Sequence, residues 1–232
     1  MKYTVKDIRN KSMTDAKRKS AKNDVIAFYV GRPISYIFTI PFLYMNAKPN
    51  TVSMISLAFP LLAFIVASIS DNIVGNFLAW IFLFIWNILD GVDGNIARYT
   101  KKFSKIGSLW DATSGYFAMF FTYSTFGLIA YKESMNIDCI ILGFLSGMAC
   151  IMPRLIMHKK LNEIGGKNSE LNNKAEYGTL KIIALNLSSI SGGAQLLALF
   201  ALLSRMTLIY TYVYFVLNVA IMIASLCKLL RE

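Results

Sequence analysis

Long apolar runs separated by short polar loops occupy the chain after residue 50. An α-helix needs about 20 mostly apolar residues to cross a bilayer, and six segments meet or approach this length. They cover residues 51–70, 74–93, 107–131, 137–157, 180–204 and 206–228. The pattern therefore predicts an all-α fold, a six-transmembrane-helix bundle embedded in a membrane.

The first 50 residues follow another pattern. Residues 1–24 are polar and basic and lack the apolar stretch of a cleavable secretory signal. Residues 25–46 are apolar, but a charge and helix-breaking residues interrupt them at Gly31, Arg32, Pro33 and Pro41. This favours an interfacial or bent segment lying against the bundle over a short spanning helix. We therefore expect a basic cytoplasmic tail and interfacial helix over residues 1–50, and a six-helix membrane domain over residues 51–232.

The distribution of basic residues predicts the orientation in the membrane. The 232-residue chain is 56% hydrophobic, has a mean hydropathy of +0.51 and carries a net charge of +11. Lys and Arg collect in the N-terminal tail and after the second and fourth predicted helices, as the positive-inside rule requires of cytoplasmic loops. This predicts a multi-pass protein of the cell (inner) membrane with both termini in the cytoplasm. Anionic membrane lipids are expected partners; nucleic acid is not, because no base-reading motif accompanies the charge.

The cysteine and histidine content excludes several kinds of chemistry. Cys139, Cys150 and Cys227 lie singly in apolar segments, without the paired spacing of a metal site. His158 is the only histidine, so a His-based triad or a His-ligated metal centre is not expected. Any catalysis must therefore use carboxylates, the backbone and basic residues.

Three aspartates stand at the edges of predicted spanning segments. Asp90 and Asp93 are three residues apart and project from one helix face, and Asp111 follows near the start of the next helix. An ionised Asp in hydrocarbon costs about 3 kcal/mol on insertion scales, so each carboxylate needs a partner, water or a cation. Their common depth indicates a shared cation, and oxygen ligands suit Mg²⁺, Mn²⁺ or Ca²⁺.

Small residues and an arginine accompany these carboxylates. Gly94 and Ala97 share a helical stripe with Asp90, which leaves a groove for a ligand, and Arg98 offers a guanidinium suited to phosphate oxygens. Together they predict a pocket for a metal-bound diphosphate at the cytoplasmic membrane surface. The alternative is a charge cluster with Arg98 and small residues at an ordinary helix contact.

Residues 90–111, DGVDGNIARYTKKFSKIGSLWD, closely resemble the signature of the CDP-alcohol phosphatidyltransferase family. The shared pattern is Asp, two residues, Asp-Gly, two residues, Ala-Arg, eight residues, Gly, three residues, Asp. KPNTVS at 48–53 is similar to the family's entry to its first helix. The resemblance implies an enzyme that releases CMP from a CDP-linked donor as an acceptor hydroxyl attacks, in phospholipid or related lipid and glycan synthesis.

The resemblance also implies roles for individual residues. Family members use two divalent cations, Mg²⁺ or Mn²⁺, held by four Asp residues, and the fourth Asp is taken as the base that deprotonates the acceptor. Carried over by position, the metal ligands are Asp90, Asp93 and Asp111, and the CDP site is lined by Gly94, Ala97, Arg98 and Gly107. Many members are homodimers, and the small residues of SSISGG at 188–193 are a candidate subunit contact.

The position of the fourth family Asp is Gly115 in this chain. One metal therefore lacks a ligand, and three hypotheses account for the missing base. In the first, the acceptor is already ionised, such as a lipid phosphate. In the second, another side chain replaces the base, namely Ser114, Tyr116, Glu163 or Glu170. In the third, the chain binds CDP-type ligands or scaffolds a partner without catalysis. A hydroxyl acceptor without a base would react about 10²–10⁴-fold more slowly.

Two further arginines are candidates for binding anions. Arg154 follows Pro153 near the end of the fourth predicted helix, where a buried Arg needs an anion. We expect it to contact the acceptor or a lipid phosphate, with a structural ion pair as the alternative. For Arg32 we expect a surface anchor rather than a site residue.

Overall fold

The computed structural model of the chain describes residues 3–104, 106–165 and 178–231. All regular structure in these residues is helical, which confirms the all-α prediction. The α-helices are α1 (Val5–Ser12), α2 (Asp15–Ala21), α3 (Arg32–Tyr44), α4 (Pro49–Ile69), α5 (Ile73–Thr100), α6 (Gly107–Ser134), α7 (Asp138–Lys160), α8 (Thr179–Ser188), α9 (Gly193–Leu203) and α10 (Thr207–Leu229). Single π-helical turns precede α3, at Ala27–Gly31, and follow α7, at Leu161–Gly165.

Several of these helices are long and apolar enough to cross a membrane, as expected of an integral membrane protein. Among the described residues they are α4, α5, α7 with its π-helical extension, and α10. A fifth span results if α8 and α9, which are bent by 53° at a short break, are counted together. The predicted count of six is therefore not confirmed.

The third predicted span, residues 107–131, corresponds to α6, and the composition of this helix explains the difference. This helix has 28 residues but does not meet the apolarity expected of a span. Its polar side chains Ser114, Thr122, Ser124 and Thr125 are buried, so they face protein rather than lipid. Polar residues of membrane helices normally face the bundle interior. The burial of its polar side chains therefore accounts for the lower apolarity of α6.

The chain forms two compact units. The first comprises Met1–Leu62, Ile81–Ala118 and Lys174–Gln195, and it contains the whole Asp-rich motif. Its apolar core joins α1, α3, α4 and α5 through the buried side chains of Ile8, Tyr36, Leu43, Val52 and Val92. The N-terminal segment is therefore packed into this unit rather than extended from it.

Polar contacts fix α3 against α5 in the first unit. A Cβ atom on Gly91 would lie 2.7 Å from the Cβ of Ser35, so only glycine allows this approach. The buried amide of Asn95 donates to the hydroxyls of Ser35 and Thr39, at 3.1 Å each. These contacts set the position of Arg32 at the start of α3.

The second unit comprises Ala63–Trp80, Met119–Asn173 and Leu196–Glu232. Within it, α6 and α7 approach closely, because a Cβ on Gly127 would lie 2.8 Å from the Cα of Gly143. Lys132 donates to the last carbonyls of α4, those of Ala67 and Ser68, at 2.9 and 2.8 Å. Cations stabilise helix C-termini in this way.

Candidate active site

The motif lies on one continuous helix and the start of the next. Helix α5 continues beyond the predicted end at residue 93 to Thr100 and carries the residues from Asp90 to Arg98. Lys101, in the left-handed conformation with φ of 56°, then ends the helix. The following turn is held by Asn50, whose amide donates to the Ser104 hydroxyl at 3.0 Å. Asn50 belongs to the KPNTVS segment, so this segment positions the start of α6.

The residues of the Asp-rich motif line two cavities in the first unit. The first, called the Asp90 cavity, has a volume of about 270 Å³ and is lined by Asp90, Gly94, Arg98 and Asp111 among others. The second, called the Asp93 cavity, has a volume of about 340 Å³ and is lined by Asp93, Gly94, Ala97, Arg98, Gly107 and Asp111 among others. Gly94, Arg98 and Asp111 line both cavities. The motif therefore surrounds two adjoining spaces rather than one.

The three carboxylates differ in exposure. Asp93 is only 5% exposed and accepts a short hydrogen bond from the Ser53 hydroxyl of α4. Asp90 is partly buried and Asp111 is exposed. Asp93 and Asp111 are close enough for their negative charges to repel. A cation between them would relieve this repulsion.

Arg98 turns back along its own helix. Its guanidinium covers Gly94, where a Cβ would lie 2.7 Å from Nη2, and Nη2 also donates to the Asn95 side-chain oxygen at 3.4 Å. Its Nε is buried and has no hydrogen-bond partner among the described residues. A glycine at position 94 therefore lets the guanidinium form part of the wall of both cavities.

The three carboxylates do not form one cluster around a single ion. Among the described residues, no group of three or more His, Cys, Asp or Glu side chains could hold one ion, so the expected cation shared by all three aspartates is not found. Mg²⁺, however, usually binds one or two carboxylates and completes its shell with water and substrate phosphates. Asp90 and Asp111 line the Asp90 cavity together, and Asp93 and Asp111 line the Asp93 cavity together.

A comparison with protein-family models identifies the chain's family. The model for CDP-alcohol phosphatidyltransferase matches residues 46–227, which is most of the chain. The chain belongs to the CDP-alcohol phosphatidyltransferase family. This family transfers phosphoalcohol groups from CDP-alcohols in membranes and uses divalent metal. A search of curated proteins found no match.

Gly115, at the position of the family's fourth Asp, faces open space. Among the described residues, no atom outside its own helix would lie within 4 Å of a Cβ added there. The hypothesis that Ser114 replaces the base is not supported, because this side chain is fully buried, accepts a hydrogen bond from Trp86 at 2.9 Å and lies 2.8 Å from the Ser56 hydroxyl. Glu163, in the other unit, pairs with Lys159 at 3.6 Å. Glu170 lies outside the described residues, and Tyr116 is partly buried.

The two arginines outside the motif lie in different surroundings. Arg32, expected to be a surface anchor, lines the Asp90 cavity and is close enough to Arg98 for the two positive charges to repel. Arg154, expected to be buried, is exposed on α7 in the second unit. Its predicted phosphate contact therefore does not follow from burial.

Further polar residues of the Asp90 cavity were not predicted. Asp24 lines it; one carboxylate oxygen accepts from Ser189 at 3.2 Å, and the other is buried without a hydrogen-bond partner among the described residues. Asn87 lines it as well, and its amide donates to the Gln195 oxygen at 2.8 Å. No local pattern predicts these residues, because they are far apart in the chain.

Proposed function

We propose that this membrane protein transfers a phospho-alcohol or phosphatidyl group from a CDP-linked donor to an acceptor and releases CMP. The reaction would serve phospholipid or related lipid and glycan synthesis, at a site facing the cytoplasm. The observation that supports it most is the lining of the two cavities. All residues carried over from the family signature, namely Asp90, Asp93, Gly94, Ala97, Arg98, Gly107 and Asp111, line one or both of them.

Each side chain has a chemical task in this proposal. The Arg98 guanidinium, held over Gly94, would bind diphosphate oxygens of the donor and orient the bond to CMP. Ser53 fixes the carboxylate of Asp93 by its hydrogen bond. Asp90, Asp93 and Asp111 would hold Mg²⁺, which stabilises negative charge on the attacking and leaving oxygens when bound. Arg154 stays a predicted contact for an acceptor or lipid phosphate.

The surroundings of Gly115 favour an acceptor that is already an oxyanion. A hydroxyl acceptor must lose a proton, but Ser114 is enclosed and Gly115 has no side chain. An ionised phosphate brings no proton to remove, and two guanidinium groups, those of Arg32 and Arg98, line the Asp90 cavity. Its oxygen would attack the phosphorus attached to the donor alcohol, the bond to CMP would break, and CMP would leave with the electron pair. The product would then contain a diphosphate link rather than a phosphodiester.

The test is CMP release by the purified protein with Mg²⁺. A panel of CDP-alcohols and CDP-diacylglycerol is combined with acceptors that carry either a free hydroxyl or a phosphate monoester. We expect CMP only with a matched donor and a phosphate-bearing acceptor. Release with a hydroxyl acceptor alone would retain the transferase and exclude the oxyanion. No CMP with any pair, together with measurable CDP binding, would instead indicate a catalytically silent binding protein.

A further inference from the structure

The N-terminal segment encloses a cavity of its own, with a volume of about 250 Å³. We call it the N-terminal cavity. Its walls come from α1, α2, the π-helical turn and α3, and they comprise Val5, Arg9, Met13, Arg18, Phe28, Tyr29, Arg32, Pro33 and Tyr36. All of these residues precede residue 46, where the match to the family model begins. The cavity is therefore not part of the family signature.

The lining of this cavity is both cationic and apolar. Arg9, Arg18 and Arg32 come from three different helices, and no Asp or Glu lines the cavity among the described residues. None of these arginines has a salt-bridge partner in the described part of the chain. The remaining walls are aliphatic and aromatic, with Phe28, Tyr29 and Tyr36 contributing rings. Arg32 also lines the Asp90 cavity, so Arg9 and Arg18 are the two guanidinium groups that line this cavity and not the carboxylate site. Two such groups beside an apolar space are the complement of an anionic amphiphile.

Two of the three helices that carry the arginines, α1 and α3, are packed into the core of the first unit. Ile8 of α1, which directly precedes Arg9, is fully buried in the core of the first unit. Thr4 caps α1 by accepting from the Asp7 amide at 3.2 Å. Tyr36 of α3 is 5% exposed and belongs to the same core. The cavity is thus built on packed helices rather than on side chains of a free tail.

We propose that the N-terminal cavity binds an anionic, phosphate-bearing lipid, with the phosphate at Arg9 and Arg18 and the hydrocarbon against its aromatic wall. Guanidinium groups bind phosphate through paired hydrogen bonds, and an apolar wall gives no affinity for a free phosphate ion. Tyr29 is 60% exposed, so the cavity is open to a ligand from outside. This inference concerns binding outside the carboxylate site and does not depend on transferase activity.

Native mass spectrometry of the full-length protein in detergent tests the proposal. The protein is titrated with dioleoyl phosphatidic acid, with dioleoyl phosphatidylcholine and with inorganic phosphate. We compare wild type with Arg9→Gln/Arg18→Gln and with the control Lys6→Gln/Lys19→Gln. The control removes equal charge from the same two helices, and neither lysine lines the cavity. Circular dichroism and size-exclusion chromatography verify folding of each variant.

We expect the wild type to bind phosphatidic acid more tightly than the other two ligands. Arg9→Gln/Arg18→Gln should weaken that binding by at least about tenfold, since each hydrogen bond to a charged group is worth about a factor of ten or more. The control should change it less than about twofold. Equal weakening by both double variants would show diffuse attraction and overturn the proposal, as would unchanged binding to the arginine variant. If that variant does not fold, Arg9→Lys/Arg18→Lys replaces it, and weaker binding of phosphatidic acid than in the wild type, at equal charge, is then the expected result; unchanged binding would overturn the proposal.

Discussion

Replacement of Gly94 by Ala tests whether the covered glycine serves Arg98. A Cβ at this position would lie 2.7, 3.0 and 3.2 Å from Nη2, Nη1 and Cζ of Arg98, so the guanidinium must move. Because it is the end of a flexible side chain, the helix itself need not shift. Alanine in a helix interior is favoured over glycine by about 1 kcal/mol. We therefore expect the thermal midpoint to be unchanged or raised while the affinity for CDP falls.

The expected loss follows from the bond that Arg98 makes to phosphate. A hydrogen bond to a charged group contributes about 1.5–3 kcal/mol, and every 1.4 kcal/mol is about tenfold in affinity. Gly94→Ala should therefore weaken binding of CDP, measured by calorimetry with Mg²⁺, by about 10- to 100-fold. In an Arg98→Ala background the same substitution should have no further effect. Equal effects of Gly94→Ala in both backgrounds, or none in the wild type, would refute the role given to the glycine.

Three other predictions address the acceptor and the fold. Gly115→Asp should lower the rate of CMP release at least about tenfold, because a carboxylate about 6 Å from an anionic acceptor costs about 3 kcal/mol at an effective dielectric constant of about 20. The neutral control Gly115→Asn should lower the rate less. A faster rate with Gly115→Asp would contradict an ionised acceptor. Asn186→Ala removes the hydrogen bond that the side-chain amide donates to the Asn23 carbonyl at 2.6 Å and the one that its oxygen accepts from the Val25 backbone amide at 2.8 Å. The free energy of unfolding, measured by denaturant titration, should fall by about 1–3 kcal/mol. An unchanged value would contradict a stabilising role of these two hydrogen bonds. Lys132→Met leaves the carbonyls at the end of α4 without their donor and should lower the thermal midpoint. Lys132→Arg should lower the midpoint less, because it keeps a cationic donor. Equal midpoints for wild type and Lys132→Met would argue against a stabilising role of Lys132 at this helix end.

Local sequence spacing accounts for the grouping of the motif residues on α5. Asp90, Asp93, Gly94, Ala97 and Arg98 occupy positions i, i+3, i+4, i+7 and i+8, and a continuous helix α5 brings such positions to one side. The cavity lining agrees with that spacing. The roles of these residues as ligands of metal and CDP remain predictions.

The position of Arg32 could not be predicted in this way. It depends on the close approach of α3 to α5 at Gly91 and on the hydrogen bonds that Asn95 makes to Ser35 and Thr39. These contacts join residues about 60 positions apart, and hydropathy carries no signal for them. A buried Asn two residues after a motif Asp is the nearest signal that sequence offers.

The predicted count of six spans is not confirmed because of two segments. The predicted span over 180–204 is broken between α8 and α9, where SSISGG replaces strong helix formers with Ser and Gly. The predicted span over 107–131 corresponds to α6, whose polar side chains are buried in protein. A sliding average cannot distinguish a helix enclosed by protein from one that faces lipid.

The most direct test of the carboxylate site is the Asp111→Asn variant in the CMP-release assay. Asp111 lines both cavities, whereas Asp90 and Asp93 line one each, so its carboxylate belongs to both candidate metal pairs. With Mg²⁺ and a matched donor and acceptor, we predict that wild type releases CMP and that Asp111→Asn is at least about 100-fold slower, more than losses typical of residues that only support a metal ligand. Wild-type rates in the folded variant would contradict a transfer site built on these aspartates.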